Sequence, residues 1–258
     1  MPKNACNVGV LSEVDLLLPE YRTRVQMIRQ YHRMVCMDDS RLTKRVYLWD
    51  KALNDREIVS TWSSEIKNIF QDCNLDLLYT VNCPFELKFI VSNVTSKFKQ
   101  KQSEYLKTAC SEKPKLRTFV LFKIFDETPS FILKSLSFHE RRMMSKLRLG
   151  CLPIRIETGR YSIPRVPEDQ RTCLVCKFDL ETTNPLLDKI ESEIHYLFAC
   201  QVYSTERDEW FSKMTLPVDF DHLTLQQKLN IVLNDPCNVK LTAKFIKIAF
   251  DLRNKILN

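Results

Sequence analysis

The sequence predicts a mostly α-helical protein, and three observations lead there. The chain of 258 residues holds only three glycines, Gly9, Gly150 and Gly159. That is too few for the tight turns of a β-sandwich or barrel. Apolar residues recur every three to four positions through long stretches, the period of one helix face. Two capping boxes, Ser137 with Glu140 and Thr224 with Gln227, stand where helices should begin.

The elements follow in order. Residues 1–17 carry no clear period and read as a flexible lead-in. Pro19 suits a first helical position, and Val25, Ile28, Tyr31 and Val35 then mark one face. "MDDSR" ends that helix and caps the next, where Leu42, Val46, Trp49 and Leu53 form the apolar stripe expected to face inward. "STWSSEIKNIF" reads as a third helix with Trp62, Ile66 and Ile69 inward. A long helix is predicted from Phe85 to about Cys110. Its stripe runs through Leu87, Ile90, Val91, Val94, Phe98, Tyr105, Leu106 and Ala109, with Lys97, Lys99, Lys101 and Lys107 on the wet side. "KLRTFVLFKIF" fits a short buried helix or a strand, since periodicity does not separate them. "SFHERRMMSKLRLG" is a helix with Gly150 at its C-terminal end. Three prolines and Gly159 break the pattern between Cys151 and Arg171, giving a loop or irregular hairpin. "ESEIHYLFAC", "STERDEWFSKM", "LQQKLNIVLN" and "NVKLTAKFIKIAFDLRNKIL" all read as helical.

Composition narrows the class. Hydrophobic residues make up 44% and charged ones 28%, the balance of a globular chain. The net charge of +7 biases it toward anionic partners. Glu13 and Asp15 interrupt the apolar N-terminal run, so it does not match a signal peptide, and no stretch has the length of a membrane span. An intracellular location, nucleus or cytoplasm, is expected. Its ten cysteines would then stay reduced.

Cys173, Cys176, His195 and Cys200 read C-x2-C-x18-H-x4-C. Zinc takes four thiolate or imidazole ligands in a tetrahedron, and a C-x2-C turn aims two thiolates at one point. The composition alone yields roughly 0.35 C-x2-C pairs by chance and roughly 0.14 H-x4-C pairs. Both in order within one finger-sized span make a sharper signal than either. The alternative is two buried cysteines beside a satisfied histidine. Four protein ligands would close the site, which makes it structural rather than catalytic. The remaining seven cysteines, Cys6, Cys36, Cys73, Cys83, Cys110, Cys151 and Cys237, have no partner at ligand spacing and read mostly as inert buried thiols.

Enzyme signatures are missing. "CMDD" at 36–39 has the paired aspartates of a polymerase palm, but its flanks have helical period and no strand aspartate precedes it; Asp38 and Asp39 read as helix-end caps. There is no phosphate-cradling glycine loop. His32, His139 and His222 lack the neighbours of a triad. The expected protein is not an enzyme and has no small-molecule substrate and no membrane partner. Arg141, Arg142, Lys146, Arg148, Arg155, Arg160, Arg165 and Arg171 crowd the thirty residues before the cysteine motif, with Tyr161 among them. Guanidinium forks suit phosphates and aromatic rings stack on bases, so this stretch is the candidate site for RNA or DNA. Ion pairs to Glu140, Glu157 and Glu168 would account for the same arginines without a ligand.

"KLRLGCLPIRIETGRY", "CLVC" and "EIHYLFAC" in this order resemble the C-terminal region of reverse transcriptase polyproteins of LINE-type, non-LTR retrotransposons, strongest over 137–210. The resemblance implies that Cys173, Cys176, His195 and Cys200 bind Zn2+ and that the chain associates with element RNA or target DNA. It does not imply polymerase activity, because the palm is absent. The "LETTNPLLD" spacer is longer than the family pattern, which puts the shape of the site in question. The complete expectation is a helical bundle-like module followed by a small zinc-knuckle (CCHC) segment and C-terminal helices. It divides into a lead-in at 1–17, a helical module at 18–135, a basic helix plus CCHC module at 136–213, and a C-terminal helical pair at 214–258. The alternative functions are a zinc-stabilised structural or protein-interaction module, or a fragment without function.

Overall fold

The structure is a computed structural model, and it describes residues 5–56, 58, 61–81, 86–125, 127–176 and 189–258. Its helices are α1 (Asn7–Val14), α2 (Pro19–Val35), α3 (Leu42–Asp55), α4 (Thr61–Asp72), α5 (Asp76–Val81), α6 (Leu87–Ser111), α7 (Phe119–Phe122), α8 (Ser130–Leu133), α9 (Phe138–Arg148), α10 (Arg155–Thr158), α11 (Ser204–Lys213), α12 (Leu225–Leu233) and α13 (Val239–Leu257). Among the described residues there is no strand, only an isolated antiparallel bridge between Thr172 and Ile190. The mostly α-helical expectation holds. "KLRTFVLFKIF" resolves as a 3-10 turn at Pro114–Leu116 followed by α7. No helix among the described residues is long and apolar enough to cross a membrane. The chain divides into two compact units, Leu16–Tyr105, and Met1–Asp15 with Leu106–Asn258.

In the Leu16–Tyr105 unit, Pro19 opens α2, where its missing N–H costs nothing. Val25, Ile28, Tyr31 and Val35 are buried, as their spacing requires. They meet Ile66, Ile69 and Phe70 of α4 and Ile90, Val94 and Phe98 of α6. Tyr105, placed in the α6 stripe by its period, is exposed. The larger departure is α3. Its apolar stripe was expected inward, yet Leu42, Val46 and Trp49 are exposed, while Lys44 and Tyr47 are buried. The reason is what the opposite face can do. Tyr47 sets its ring edge-on to Tyr31 at 6.0 Å and to Trp62 at 6.1 Å, joining the contact of Tyr31 with Phe70 at 5.2 Å. The Lys44 ammonium donates to the Val35 carbonyl at 2.6 Å, satisfying an orphan acceptor at the C-terminal end of α2.

The second unit packs α9 against α13, with α7, α8, α11 and α12 around them. Both ends of α9 are closed by local chemistry. The Ser137 hydroxyl accepts from Glu140 N–H while the Glu140 carboxylate accepts from Ser137 N–H, the expected capping box. At the other end Cys151 N–H reaches Lys146 O and Gly150 N–H reaches Leu147 O, a Schellman pair. Gly150 has φ +61°, and a Cβ there would lie 2.1 Å from the Lys115 carbonyl oxygen, so glycine is required. Thr224 and Gln227 cap α12 as predicted.

Residues 7–14, expected as flexible lead-in, are helical. The cause is an ion pair that periodicity does not register. Arg148 donates through Nε and Nη2 to the two Glu13 oxygens at 3.1 and 3.0 Å, with both side chains 1% exposed. Its Nη1 reaches Leu233 O at 2.8 Å and Asn234 Oδ1 at 3.0 Å, and the guanidinium lies over the Phe122 and Phe131 rings. Removing one member of such a pair leaves a buried charge without its counterion. Glu13→Ala should therefore destabilise this unit by about 3–5 kcal/mol, read from urea unfolding; a loss below about 1 kcal/mol, the range of a surface pair, would contradict the arrangement.

Candidate metal centre

The centre is assembled by two segments that pair side by side. Cys173 N–H donates to Lys189 O at 3.0 Å and Glu191 N–H to Arg171 O at 2.9 Å, flanking the Thr172–Ile190 bridge. The ends of the x18 spacer are thereby held together, and the spacer's length does not separate the ligands. Residues 177–188, which include "LETTNPLLD", lie outside the described residues.

After Glu191 the chain winds into a π-helical turn, His195–Ala199, and Cys200 N–H closes it on His195 O at 2.8 Å. The winding matters for the H-x4-C spacing. In an α-helix, residues five apart lie about 140° around the axis. A turn closed from i to i+5 returns them to one side. The Ser192 hydroxyl accepts from His195 N–H at 3.2 Å and fixes the start of the turn.

The result is convergence. One donor atom from each of Cys173, Cys176, His195 and Cys200 lies within 4.8 Å of all the others, and all four residues are buried. His195 Nε2 is 3.3 Å from Cys176 Sγ. A tetrahedral zinc with Zn–S near 2.3 Å would set its sulfurs about 3.8 Å apart, so the cluster has the size of a coordination shell. Three soft sulfurs and one imidazole nitrogen are the donor set for Zn2+ rather than for Mg2+ or Ca2+. These residues can hold a metal ion.

Electrostatics without a cation are conflicted. Hydrogen bonds from Cys176 and Cys200 hold the Cys173 thiol far below its ordinary range. Cys173 and Cys200 push Cys176 far above it, because the Cys176 thiol keeps its proton to hydrogen-bond to them and burial disfavours a second thiolate. Burial lowers His195, but hydrogen bonding to Cys173 and Cys200 outweighs that and raises it to about 10. A divalent cation at the centre removes the conflict and displaces the protons.

The surrounding unit fixes the ligands in place. Glu191, 1% exposed, accepts from Arg253 Nε and Nη2 at 2.7 and 3.0 Å and from Arg155 N–H at 2.6 Å. Glu193 accepts two bonds from Arg117 Nη2 and one from Thr118 Oγ1. Arg207 donates to Leu197 O and Cys200 O at 2.8 and 2.7 Å. The Tyr196 hydroxyl donates to Ile246 O at 2.7 Å. The three cysteines share one core with Val175, Leu197, Tyr203, Phe245 and Ile246, so the cluster is built into the helical unit. Sequence reasoning missed Glu13, Glu191, Glu193, Arg207 and Arg253. The available signal was carboxylates set inside apolar runs, which are buried only when paired.

Of the eight basic residues expected to bind nucleic acid, two do not reach the surface. Arg148 and Arg171 are buried; Arg171 donates to Val166 O and Ile156 O, both at 3.0 Å. Charge so placed cannot meet a phosphate, which corrects the expectation for these two. Arg141 caps the end of α8 at Ile132 O and Lys134 O. Arg160 lies 3.6 Å from Glu157. Arg142 and Arg165 are exposed, and Lys146 and Arg155 are half-buried. Asp38, expected to cap a helix end, accepts from Ser40 N–H at 2.9 Å within the turn instead, and α3 starts after Arg41 without a side-chain cap. Cys83 lies outside the described residues; the other six cysteines beyond the cluster are free thiols. A cleft of about 550 Å³ lined by Lys123, Arg148 and Asn234 includes none of the four ligands.

Comparison with protein-family models, with curated proteins and with solved structures returns no match.

Cys176→Ser should abolish metal retention, because serine offers zinc a poor ligand at this distance. Metal analysis of the purified variant checks this; one equivalent of ion retained would show that Cys176 is not a ligand.

Proposed function

We propose that Cys173, Cys176, His195 and Cys200 hold one Zn2+ as a structural ion, and that the chain is a non-enzymatic, zinc-stabilised helical module acting through binding. One observation carries this reading: four buried protein donors converge on a point. A shell completed by the protein leaves no position for a substrate or a reactive water. The ion's role is then cohesion, contributing on the order of 10 kcal/mol to local folding. The paired arginines favour the same reading. Arg148 with Glu13, Arg253 with Glu191 and Arg117 with Glu193 hold elements together rather than offer charge to a ligand. The test is chelation. Removing the ion from the full chain should lower its melting temperature and raise hydrogen exchange at 189–203 and 171–176 first. Equal stability with and without chelator would overturn the structural role.

A second reading is nucleic-acid association, as the C-terminal part of a non-LTR retrotransposon reverse transcriptase-like protein, bound to element RNA or target DNA. It is supported by the motif order, by the net charge of +7, and by the exposed Arg142, Tyr161 and Arg165. Phosphate contacts release counterions, so affinity must fall steeply with salt. Filter binding should show retention of RNA or DNA at low salt, lost by about tenfold or more between 50 and 200 mM salt and weakened in Arg142→Glu/Arg165→Glu. No retention at low salt would remove this reading.

A further inference from the structure

We propose that the outward face of α3 is a docking surface for an acidic amphipathic helix of a partner protein. The surface belongs to the Leu16–Tyr105 unit, whose core contains none of the four metal ligands, so it is independent of the metal reading.

The observation is an inverted helix. α3 buries a lysine and a tyrosine and leaves Leu42 74%, Val46 54% and Trp49 65% exposed. These three, with the half-buried Leu53, form one stripe at i, i+4, i+7 and i+11. At 1.5 Å per residue the stripe runs about 17 Å along the helix. That is the length and spacing over which one helix reads another by its apolar anchors. Scattered exposed aliphatics are ordinary; a collinear set that includes a tryptophan is a contact surface left open.

Charge identifies the occupant. At 100° per residue the exposed Arg45 falls on one shoulder of the stripe, and the exposed Arg41 and Arg56 stand at the two ends of the helix. The other shoulder carries Thr43 and Asp50, and Asp50 already accepts from Ser63 N–H at 3.1 Å and from its hydroxyl. Asp55 falls about 150° round the helix from the stripe. A partner helix with an apolar stripe and carboxylates on one edge matches this pattern. The other occupants match less well. A helix lying on anionic lipid has basic residues on both shoulders, since both meet headgroups. Nucleic acid has nothing to set against Leu42 and Val46. A second copy packed antiparallel would oppose arginine shoulder to arginine shoulder, which is repulsive.

The probe is a synthetic helical peptide with leucines at i, i+3, i+4 and i+7 and glutamates along one edge. Its control has lysines in place of the glutamates. Anisotropy of the labelled peptides against the full chain should show the glutamate peptide binding at least tenfold more tightly. Arg45→Glu/Arg56→Glu should reverse that preference, and Val46→Ser/Trp49→Ser should weaken the glutamate peptide at least tenfold, with circular dichroism unchanged in both. Equal binding of the two peptides, no binding of either, or binding indifferent to Trp49 would overturn the proposal. So would concentration-dependent dimerisation, or binding to phosphatidylserine vesicles, that is lost in Val46→Ser/Trp49→Ser.

Discussion

The buried carboxylate of Glu191 is the constraint on which the metal centre depends. Its oxygens take bonds from the Arg253 guanidinium on α13 and from the first N–H of α10. Its own N–H and C=O are bonded to Arg171 and Ile156. Three separate stretches of chain are therefore fixed to one residue, two positions beyond the residue that pairs with Cys173 and four before His195. With the carboxylate neutralised by Arg253, the ribbon that carries the first cysteine and the turn that carries the histidine have a defined separation. The ligands converge because their backbones are already placed.

The same device recurs through this unit. Glu13 with Arg148, Glu193 with Arg117 and Lys115 with Glu157 are ion pairs with one or both members buried. Each is an uncompensated cost if either side is removed and close to neutral when both are present. Such pairs confer specificity of arrangement more than stability. They also change what the basic composition means. Arg148, Arg171, Arg207 and Arg253 are buried in joining parts of this unit and are not available to an anionic ligand.

The legible features were local ones. Capping boxes at Ser137 and Thr224, the stop at Gly150, Pro19 at a helix start and the inward faces of α2 and α4 follow from neighbours within four residues. The set of candidate ligands was legible because cysteine and histidine at close spacing are rare. What could not be read required contacts between distant segments. The apolar stripe of α3 is a good inward face by period, but the ring of Tyr47 and the ammonium of Lys44 have better partners on the other side. The fate of Arg148 depended on acceptors 85 and 135 positions away, and that of Arg171 on backbone carbonyls, which leave no mark in the sequence. The π turn that brings His195 and Cys200 to one side was hidden as well, since its sequence reads as an ordinary helix.

The pairing of Glu13 with Arg148 spans 135 positions, and the whole Leu16–Tyr105 unit lies between them in the chain. On the ribosome the glutamate emerges first and must wait, solvated, while an entire compact body is translated behind it. Every residue of that body is synthesised before the arginine that serves as the glutamate's counterion. Order of birth and order of pairing thus run apart, and α1 is held by a residue made long after it.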